Sequence, residues 1–345
     1  MIIADIFCGK KVAVFGLGGS GIVTAQSLKQ GGAEVIAFDD NAQAREQARE
    51  KGIFVADLHQ ISWQTMAALV LAPGVPLTHP EPHWVVKLAH KAGVEIIGDL
   101  EIFARIWNEA KKSYKKGPEA VQVIAITGTN GKSTTTMLIA HLLQYAGFNV
   151  QVGGNIGTPA LALAPFQPER VYVLECSSFQ IELAPSFKPD VAVLLNLSYD
   201  HIDRHGDFAR YVQIKQALLE QAQKAVIALD DASSAGVAQQ LSCLNKPLTY
   251  LCAYEKRGAD YFAVETKLYK KGAGQETCLL DLAGITTLRG KHNAQNSLAA
   301  LAVLENFSLP SDKVLEAFQS FKGLPHRMQQ VRKIKNTLFI NDSKA

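Results

Sequence analysis

At 345 residues the chain has room for two or three domains. With 48% hydrophobic residues and a net charge of only +3 it can bury large cores, and it lacks the bulk charge that would bind nucleic acid. Its five cysteines, Cys8, Cys176, Cys243, Cys252 and Cys278, are odd in number and form no Cys-x-x-Cys pair. That argues against a disulfide framework or a zinc site and for a reducing, cytoplasmic compartment. No apolar run approaches the roughly 18 residues of a membrane span. Asp5, Lys10 and Lys11 interrupt the stretch where a signal peptide needs an apolar core.

The first strand is expected at Lys11 to Phe15, followed by the turn Gly16-Leu17-Gly18-Gly19-Ser20-Gly21, a helix to about Gln30, and a strand from Glu34 to Phe38 ending in Asp39-Asp40. Strand, Gly-x-Gly-x-x-Gly, helix, strand, acid is the dinucleotide-binding order, with the acid placed to take a ribose hydroxyl. It says that a diphosphate can sit on the helix N-terminus without saying which one, and a tight structural turn is the competing reading. Further strands at Ala67 to Leu71 and Val94 to Ile97 stop at Ala72-Pro73-Gly74 and Gly98-Asp99. In a doubly wound parallel sheet those C-terminal ends line the ligand crevice, so Pro73 and Gly74 join the glycine loop as candidate lining. His79, His83 and His90 have no metal-ligand spacing and are read as surface. A helix from Leu100 to about Ala110 leads into Lys111-Lys112-Ser113-Tyr114-Lys115-Lys116-Gly117-Pro118, read as a solvated interdomain linker over 111–120.

The second domain opens with Ile124-Ala125-Ile126-Thr127-Gly128-Thr129-Asn130-Gly131-Lys132-Ser133-Thr134, an apolar strand breaking into a glycine turn and a helix beginning near Ser133. Gly128 and Gly131 let the backbone turn so that N–H groups face a phosphate. Lys132 adds a cation, and Ser133 or Thr134 offers a hydroxyl to Mg²⁺. The general P-loop pattern has a glycine where Ile126 stands, so this is a tighter variant. The strand Val150 to Val152 ends in Gly153-Gly154-Asn155-Ile156-Gly157. The strand Val171 to Leu174 delivers Glu175-Cys176-Ser177-Ser178-Phe179-Gln180, placing a carboxylate where P-loop enzymes hold Mg²⁺, with a helix cap as the alternative.

Val191 to Leu195, apolar throughout and so buried on both faces, opens into Asn196-Leu197-Ser198-Tyr199-Asp200-His201-Ile202-Asp203-Arg204-His205-Gly206. Such a polar cluster has little packing value, and His201 with Glu175 could complete a Mg²⁺ site whose other ligands are phosphate oxygens. Lys215, on the helix that follows, carries no local signal. After a strand from Ala225 to Leu229 and peripheral short strands to Leu282, a helix begins at Gly290-Lys291-His292-Asn293-Ala294-Gln295-Asn296. Asn293 and Asn296 share one face there and can pair with an adenine edge, although Asn293 could also be a plain N-cap. Gly323-Leu324-Pro325-His326-Arg327 and then Leu338 to Asn341 with Asp342-Ser343-Lys344 start a new strand.

Taken together, the glycine-lysine loop, Gly153 to Gly157, Glu175 to Gln180, Asp200 to Arg204, Gly323 to Arg327 and Asn341 to Lys344 resemble the Mur ligases of peptidoglycan synthesis. Gly98-Asp99-Leu100-Glu101-Ile102-Phe103 and Ser177-Ser178-Phe179-Gln180 resemble the D-glutamate-adding branch. The resemblance covers essentially the whole chain. It implies a Rossmann-like domain over 1–110, a central P-loop ATPase domain over 121–322, and the start of a third, Rossmann-like domain over 323–345.

The resemblance further implies that Gly18, Gly19, Ser20, Gly21, Asp39 and Asp40 hold the uridine diphosphate of UDP-MurNAc-L-alanine, and that the second domain uses ATP and Mg²⁺. Glu175 and His201 match the family's Mg²⁺ positions, and Lys215 matches a lysine that the family carries as a carbamate. Asn155 matches a substrate contact, Asn293 and Asn296 the adenine pair, and Arg327 and Asp342 the ATP side of the hinge to the third domain. The implied partners are small molecules only, UDP-MurNAc-L-alanine and D-glutamate, acting on a monomer. Only the first strand of the third domain and Lys344 are present, so nucleotide binding without efficient ligation is expected of this chain alone. Two rivals follow from the residues: an NAD-dependent dehydrogenase built on Gly16 to Gly21 and Asp39, and a nucleotide-binding fragment without ligase activity.

Overall fold

A computed structural model describes every residue except 114–121, 255–257, 308–310, 328, 336 and 344–345. Lys344 and most of the expected linker, including Tyr114, Lys115, Lys116, Gly117 and Pro118, therefore lie outside the described residues. The N-terminal region runs β1 (Lys11–Phe15), α1 (Gly19–Gln30), β2 (Glu34–Phe38), α2 (Ala42–Glu50), β3 (Met66–Leu71), α3 (Trp84–Ala92), β4 (Glu95–Ile97) and α4 (Asp99–Ser113). Its strands form one parallel sheet in the order β2-β1-β3-β4. The chain steps from β1 to one side and then to the other. The crevice between the ends of β1 and β3 is therefore a topological switch point, and the glycine loop fills it.

The central region begins with β5 (Gln122–Thr127), α5 (Lys132–Tyr145), β6 (Asn149–Gly154), β7 (Arg170–Glu175), α6 (Ser178–Glu182) and β8 (Val191–Leu194). It continues with α7 (Ile202–His205), α8 (Phe208–Gln221), β9 (Lys224–Ala228), α9 (Ala232–Leu241) and β10 (Leu248–Cys252). Then come β11 (Tyr261–Val264), β12 (Lys267–Lys271), β13 (Glu276–Asp281), α10 (Lys291–Leu304) and α11 (Ser311–Ser320). Nine strands make one sheet, β13-β12-β11-β10-β9-β8-β5-β7-β6, parallel except that β12 pairs antiparallel with both β11 and β13. β5 lies between β7 and β8, a second switch point, so the ends of those two strands flank the P-loop. α10 is buried from Asn293 to Leu304, as a helix apolar nearly all round must be. A separate hairpin of β14 (Gln329–Ile334) and β15 (Thr337–Asn341) follows.

The Gly98 to Phe103 stretch is the seam between the two sheets. Gly98 N donates to Leu183 O at 2.8 Å, an approach that leaves an added Cβ only 3.0 Å from the Leu183 Cβ. Glu101, 1% exposed, accepts from Ser186 N at 2.9 Å, from Ser186 Oγ at 2.7 Å and from Arg105 Nε at 2.8 Å. Phe103 and Trp107 bury against Phe166, Tyr172 and Phe187 of the central region.

Several expectations are corrected here. α4 runs to Ser113, so Lys111, Lys112 and Ser113 are helix and not linker. Lys111 is ion-paired with Asp190, whose other oxygen accepts from Val123 N at 2.8 Å. α5 begins at Lys132, one residue before the expected start. β14 went unanticipated because Gln329-Gln330-Val331-Arg332-Lys333-Ile334 lacks an apolar alternation, and no element was expected for α2, α3, α9 or α11.

Candidate active site

At the end of β5 the chain turns through Gly128 (φ 147°) and Gly131 (φ 83°), conformations that a side chain resists. An added Cβ at Gly131 would sit 2.5 Å from Asn296 Oδ1. The loop is braced from β8: Thr129 N donates to Asn196 O at 2.9 Å and Asn130 N to Asn196 Oδ1 at 2.8 Å. These two N–H groups are thus committed inside the protein. Lys132, Ser133 and Thr134 open α5, where helix geometry supplies no intrahelical acceptor for the N–H groups. Asn196 is itself held by Gln295 Oε1 at 2.9 Å, and Gln295 by Asp230 Oδ2 at 2.7 Å.

Three charged side chains surround this loop. Lys132 Nζ donates to Thr129 O at 2.8 Å. Burial pushes its pKa down, while Glu175 and Asp200 draw it back up. Lys215, 1% exposed, donates to Gly128 O at 3.0 Å and Thr127 Oγ1 at 3.2 Å, with its ammonium 4.8 Å from the Tyr211 ring centre. Burial first, and Lys132 second, lower it to about 7. Glu175, 3% exposed, accepts from Asn155 Nδ2 at 2.7 Å on Oε1, while its Oε2 is buried with no hydrogen-bond partner.

Lys215 looked unremarkable in the sequence, yet a signal was there. Tyr211, Ile214, Lys215, Leu218 and Leu219 are the buried positions of α8, and their spacing is the apolar stripe of an amphipathic helix. A lysine on such a stripe is one whose charge burial will disfavour.

His201 stands at the start of α7 with φ 53°, a left-handed conformation uncommon for a non-glycine residue. Its ring lies 4.9 Å from that of Phe179, and its Nε2 is 3.4 Å from Asp200 Oδ2. Among the described residues no group of three or more His, Cys, Asp or Glu side chains forms a metal cage. Beside the loop a cavity of about 250 Å³ is lined by Asn130, Asn293, Asn296, Gly323, Arg327 and Asp342, among others. Asn293 is no N-cap: Gly290 holds that position. Asn293 is buried and donates to Arg289 O at 2.8 Å, accepting from Asn296 Nδ2 at 3.0 Å. Asn296 Oδ1 in turn accepts from Thr135 Oγ1 at 3.1 Å.

In the N-terminal sheet, Ser20, Gly21, Pro73 and Asp99 line one small cleft, whereas Gly18 and Gly19 face open space. Asp39 braces the loop, accepting from Leu17 N at 2.6 Å and Asn41 N at 2.8 Å. Asp40 is engaged by His83 Nε2 at 3.0 Å and Trp84 Nε1 at 3.3 Å. His83 is therefore not a free surface residue as expected: its ring packs 4.7 Å from Phe15.

Comparison with known proteins gives two family matches. The Mur ligase middle domain matches residues 126–304, and the NADPH-binding domain of acetohydroxy acid isomeroreductase matches residues 6–77. The UDP-N-acetylmuramoylalanine–D-glutamate ligase of Bartonella henselae is 49% identical over 100% of this chain and 74% of its own length. That of Agrobacterium fabrum is 47% identical over 100% of this chain and 72% of its own. Among solved structures, the UDP-N-acetylmuramate-alanine ligase of Thermotoga maritima is 19% identical with TM-score 0.55, covering 96% of this chain and 74% of that one. The UDP-N-acetylmuramate:L-alanyl-gamma-D-glutamyl-meso-diaminopimelate ligase of Neisseria meningitides is 19% identical with TM-score 0.57, covering 91% of this chain and 99% of that one. At that identity the structures speak for the fold alone.

Proposed function

The chain belongs to the Mur ligase family, and from that premise we propose that it is an ATP-dependent amide-bond ligase adding D-glutamate to UDP-N-acetylmuramoyl-L-alanine in peptidoglycan synthesis. The relatives at 47 and 49% identity support the acceptor and donor. The observation that carries the chemistry is the convergence, at one sheet edge, of a P-loop, a buried carboxylate with a free oxygen and a lysine of depressed pKa.

In this reading the glycine loop and Pro73–Gly74 hold the uridine diphosphate end, with Asp39 and Asp40 on the ribose and uracil side. The cavity lined by Asn293, Asn296, Arg327 and Asp342 takes the nucleoside of ATP, which lays its phosphates along the first turn of α5. The alanyl carboxylate attacks the γ-phosphate and ADP leaves. The amine of D-glutamate then displaces phosphate from the acyl phosphate, giving the amide. Lys132 exchanges its bond to Thr129 O for the transferring phosphoryl group and stabilises the charge that develops there. Asn155 aligns Glu175 and meets the substrate, and Lys344 belongs to the D-glutamate side.

The residues fit Mg²⁺. The buried Glu175 Oε2 has no hydrogen-bond partner, and a site with few protein ligands suits a metal that keeps water and phosphate oxygens. Ser133, Glu175, His201 and a carbamylated Lys215 are the residues that would hold it, where it neutralises charge on the phosphates. Lys215, lowered to about 7, is in part a neutral amine at neutral pH. Such an amine adds to CO₂ with loss of a proton, turning a buried cation into an anion. The functional division is 1–110 for the UDP substrate, 121–322 for ATP and 323–345 for the hinge side. No described helix is long and apolar enough to cross a membrane, and the five cysteines are free.

A second reading, a dehydrogenase with its dinucleotide on the glycine loop, is supported by the NADPH-binding match over 6–77. One experiment separates the two: phosphate release from ATP and Mg²⁺ with UDP-MurNAc-L-alanine, with and without D-glutamate. It is run on this chain and on one extended to the relatives' length. Release that requires both substrates supports the ligase. No release from either chain, with NADPH bound more tightly than UDP, overturns it.

A further inference from the structure

The turn at 200–206 belongs to the phosphate end of the molecule, yet it reaches across to the other sheet. Arg204 Nη1 donates to Gly74 O at 2.9 Å. Among the described residues this is the hydrogen bond that ties the 73–79 loop to the phosphate-binding region. Two residues on, Gly206 (φ 87°) lies so close to His79 that an added Cβ would come within 2.7 Å of the imidazole ring. The face of the Arg204 guanidinium lies 5.0 Å from the Phe179 ring centre, and the same ring is packed by His201 at 4.9 Å and His205 at 5.0 Å. Arg204 N donates to His201 O at 3.0 Å. The side chain's Nε is buried with no hydrogen-bond partner, so the guanidinium has an unspent donor at this junction.

We propose that Arg204 is a positioning residue that couples occupancy of the glycine-loop crevice to the placement of Phe179 and His201 beside the P-loop. The inference rests on the ligase reading above and deepens it. A planar guanidinium fixed at one edge by a carbonyl and on one face by an aromatic ring moves as a rigid plate. A ligand resting on Pro73–Gly74 immobilises the Gly74 peptide and hence the plate. Phe179, and the His201 ring packed on it, then lose the freedom that nucleotide binding would otherwise have to remove, and the second ligand binds more tightly. Such coupling is reciprocal, and a factor of about five or more is the usual range for two linked sites.

The test is calorimetric titration of this chain with a non-hydrolysable ATP analogue and Mg²⁺, with and without saturating UDP-MurNAc-L-alanine. In the unaltered chain the analogue should bind about fivefold or more tightly when the UDP substrate is present. Arg204→Gln and Phe179→Leu should each bring that ratio close to one, while Arg204→Gln keeps the analogue's affinity in the absence of UDP substrate within about twofold. Arg204→Lys retains charge and donor without the planar face, and should fall between. A ratio of one in the unaltered chain overturns the proposal, as does a ratio that survives both substitutions. So does an Arg204→Gln protein that loses the analogue outright, which would make Arg204 merely structural. Failure of the ligase reading looks different: the unaltered chain would then not bind UDP-MurNAc-L-alanine by itself.

Discussion

The molecule contains the same device twice, a parallel strand that breaks into a glycine turn at a switch point and re-forms as a helix, and the two copies are finished differently. The loop after β1 is braced by one carboxylate, Asp39, on Leu17 N. Among the described residues no lysine is hydrogen-bonded to it, and Gly18 and Gly19 face open space. The loop after β5 is braced by Asn196 from β8 and backed by Asn296 from α10. Lys132 and Lys215 each donate to one of its backbone carbonyls, with Glu175 at the end of the neighbouring strand. On the ligase reading both hold a phosphate by helix N–H groups. Only the second can also respond to charge that shifts during a reaction, which suits the first to holding a substrate and the second to chemistry.

Removing the cation tests that division most severely. Lys132→Met should lower the rate of ATP-dependent phosphate release by about 10²- to 10³-fold, the usual cost of one transition-state donor, as measured in the chain extended to its relatives' length. Calorimetric affinity for UDP-MurNAc-L-alanine should not change. Loss of UDP-substrate affinity would mean that the two loops do not divide the labour.

Glycine replacements give the next largest effect. Gly131→Ala must place a side chain at φ 83° and against Asn296 Oδ1, at a cost of about 1–2 kcal/mol for the left-handed backbone alone. ATP-analogue affinity should fall about tenfold or more. Gly18→Ala meets nothing within 4 Å, so its melting temperature should stay near that of the unaltered chain. Its affinity for the UDP substrate should nevertheless drop, because the added methyl takes the space of a closely approaching diphosphate.

The buried lysine sharpens the comparison through pH. Lys215 is lowered to about 7 from an ordinary 10.5, so between those values the unfolded chain holds a proton that the folded chain does not. Stability should therefore rise with pH across that window, by at most about 1.4 kcal/mol per unit from this group, and the full penalty applies below it. Denaturant titrations at several pH values should show the slope, and Lys215→Met should flatten it. The smallest expected effect is that of Asn296→Ala, which strips one hydrogen bond each from Thr135 and Asn293. It should weaken ATP-analogue binding by about 1 kcal/mol, or several-fold, with no change in UDP-substrate affinity.

Both copies of the device were legible in the sequence because everything that makes them is local. A run of apolar residues gives a buried strand, glycines give the turn, and the helix start follows from what comes after. The limits of β1 and β2 agree with the sequence reading residue for residue. The finishing of each loop was not legible. Asn196 is a strand-end asparagine until β8 lies beside β5, and Asp40 is a free acid until His83 and Trp84, more than forty positions away, close on it. The expected linker lysine Lys111 became an ion-pair partner because Asp190 arrives from another layer.

The chain's own order of residues determined the alternation of strands and helices, the two glycine loops and the family the chain belongs to, since periodicity, turn chemistry and motif spacing act over a few residues. The tertiary structure alone decided which groups lose water. Lys215 becomes a near-neutral amine and Glu175 a carboxylate with one unanswered oxygen only when strands and helices distant in the chain are stacked around them. Desolvation depends on everything within a few ångströms, of which a short stretch of sequence, such as the apolar stripe that carries Lys215, specifies only one side.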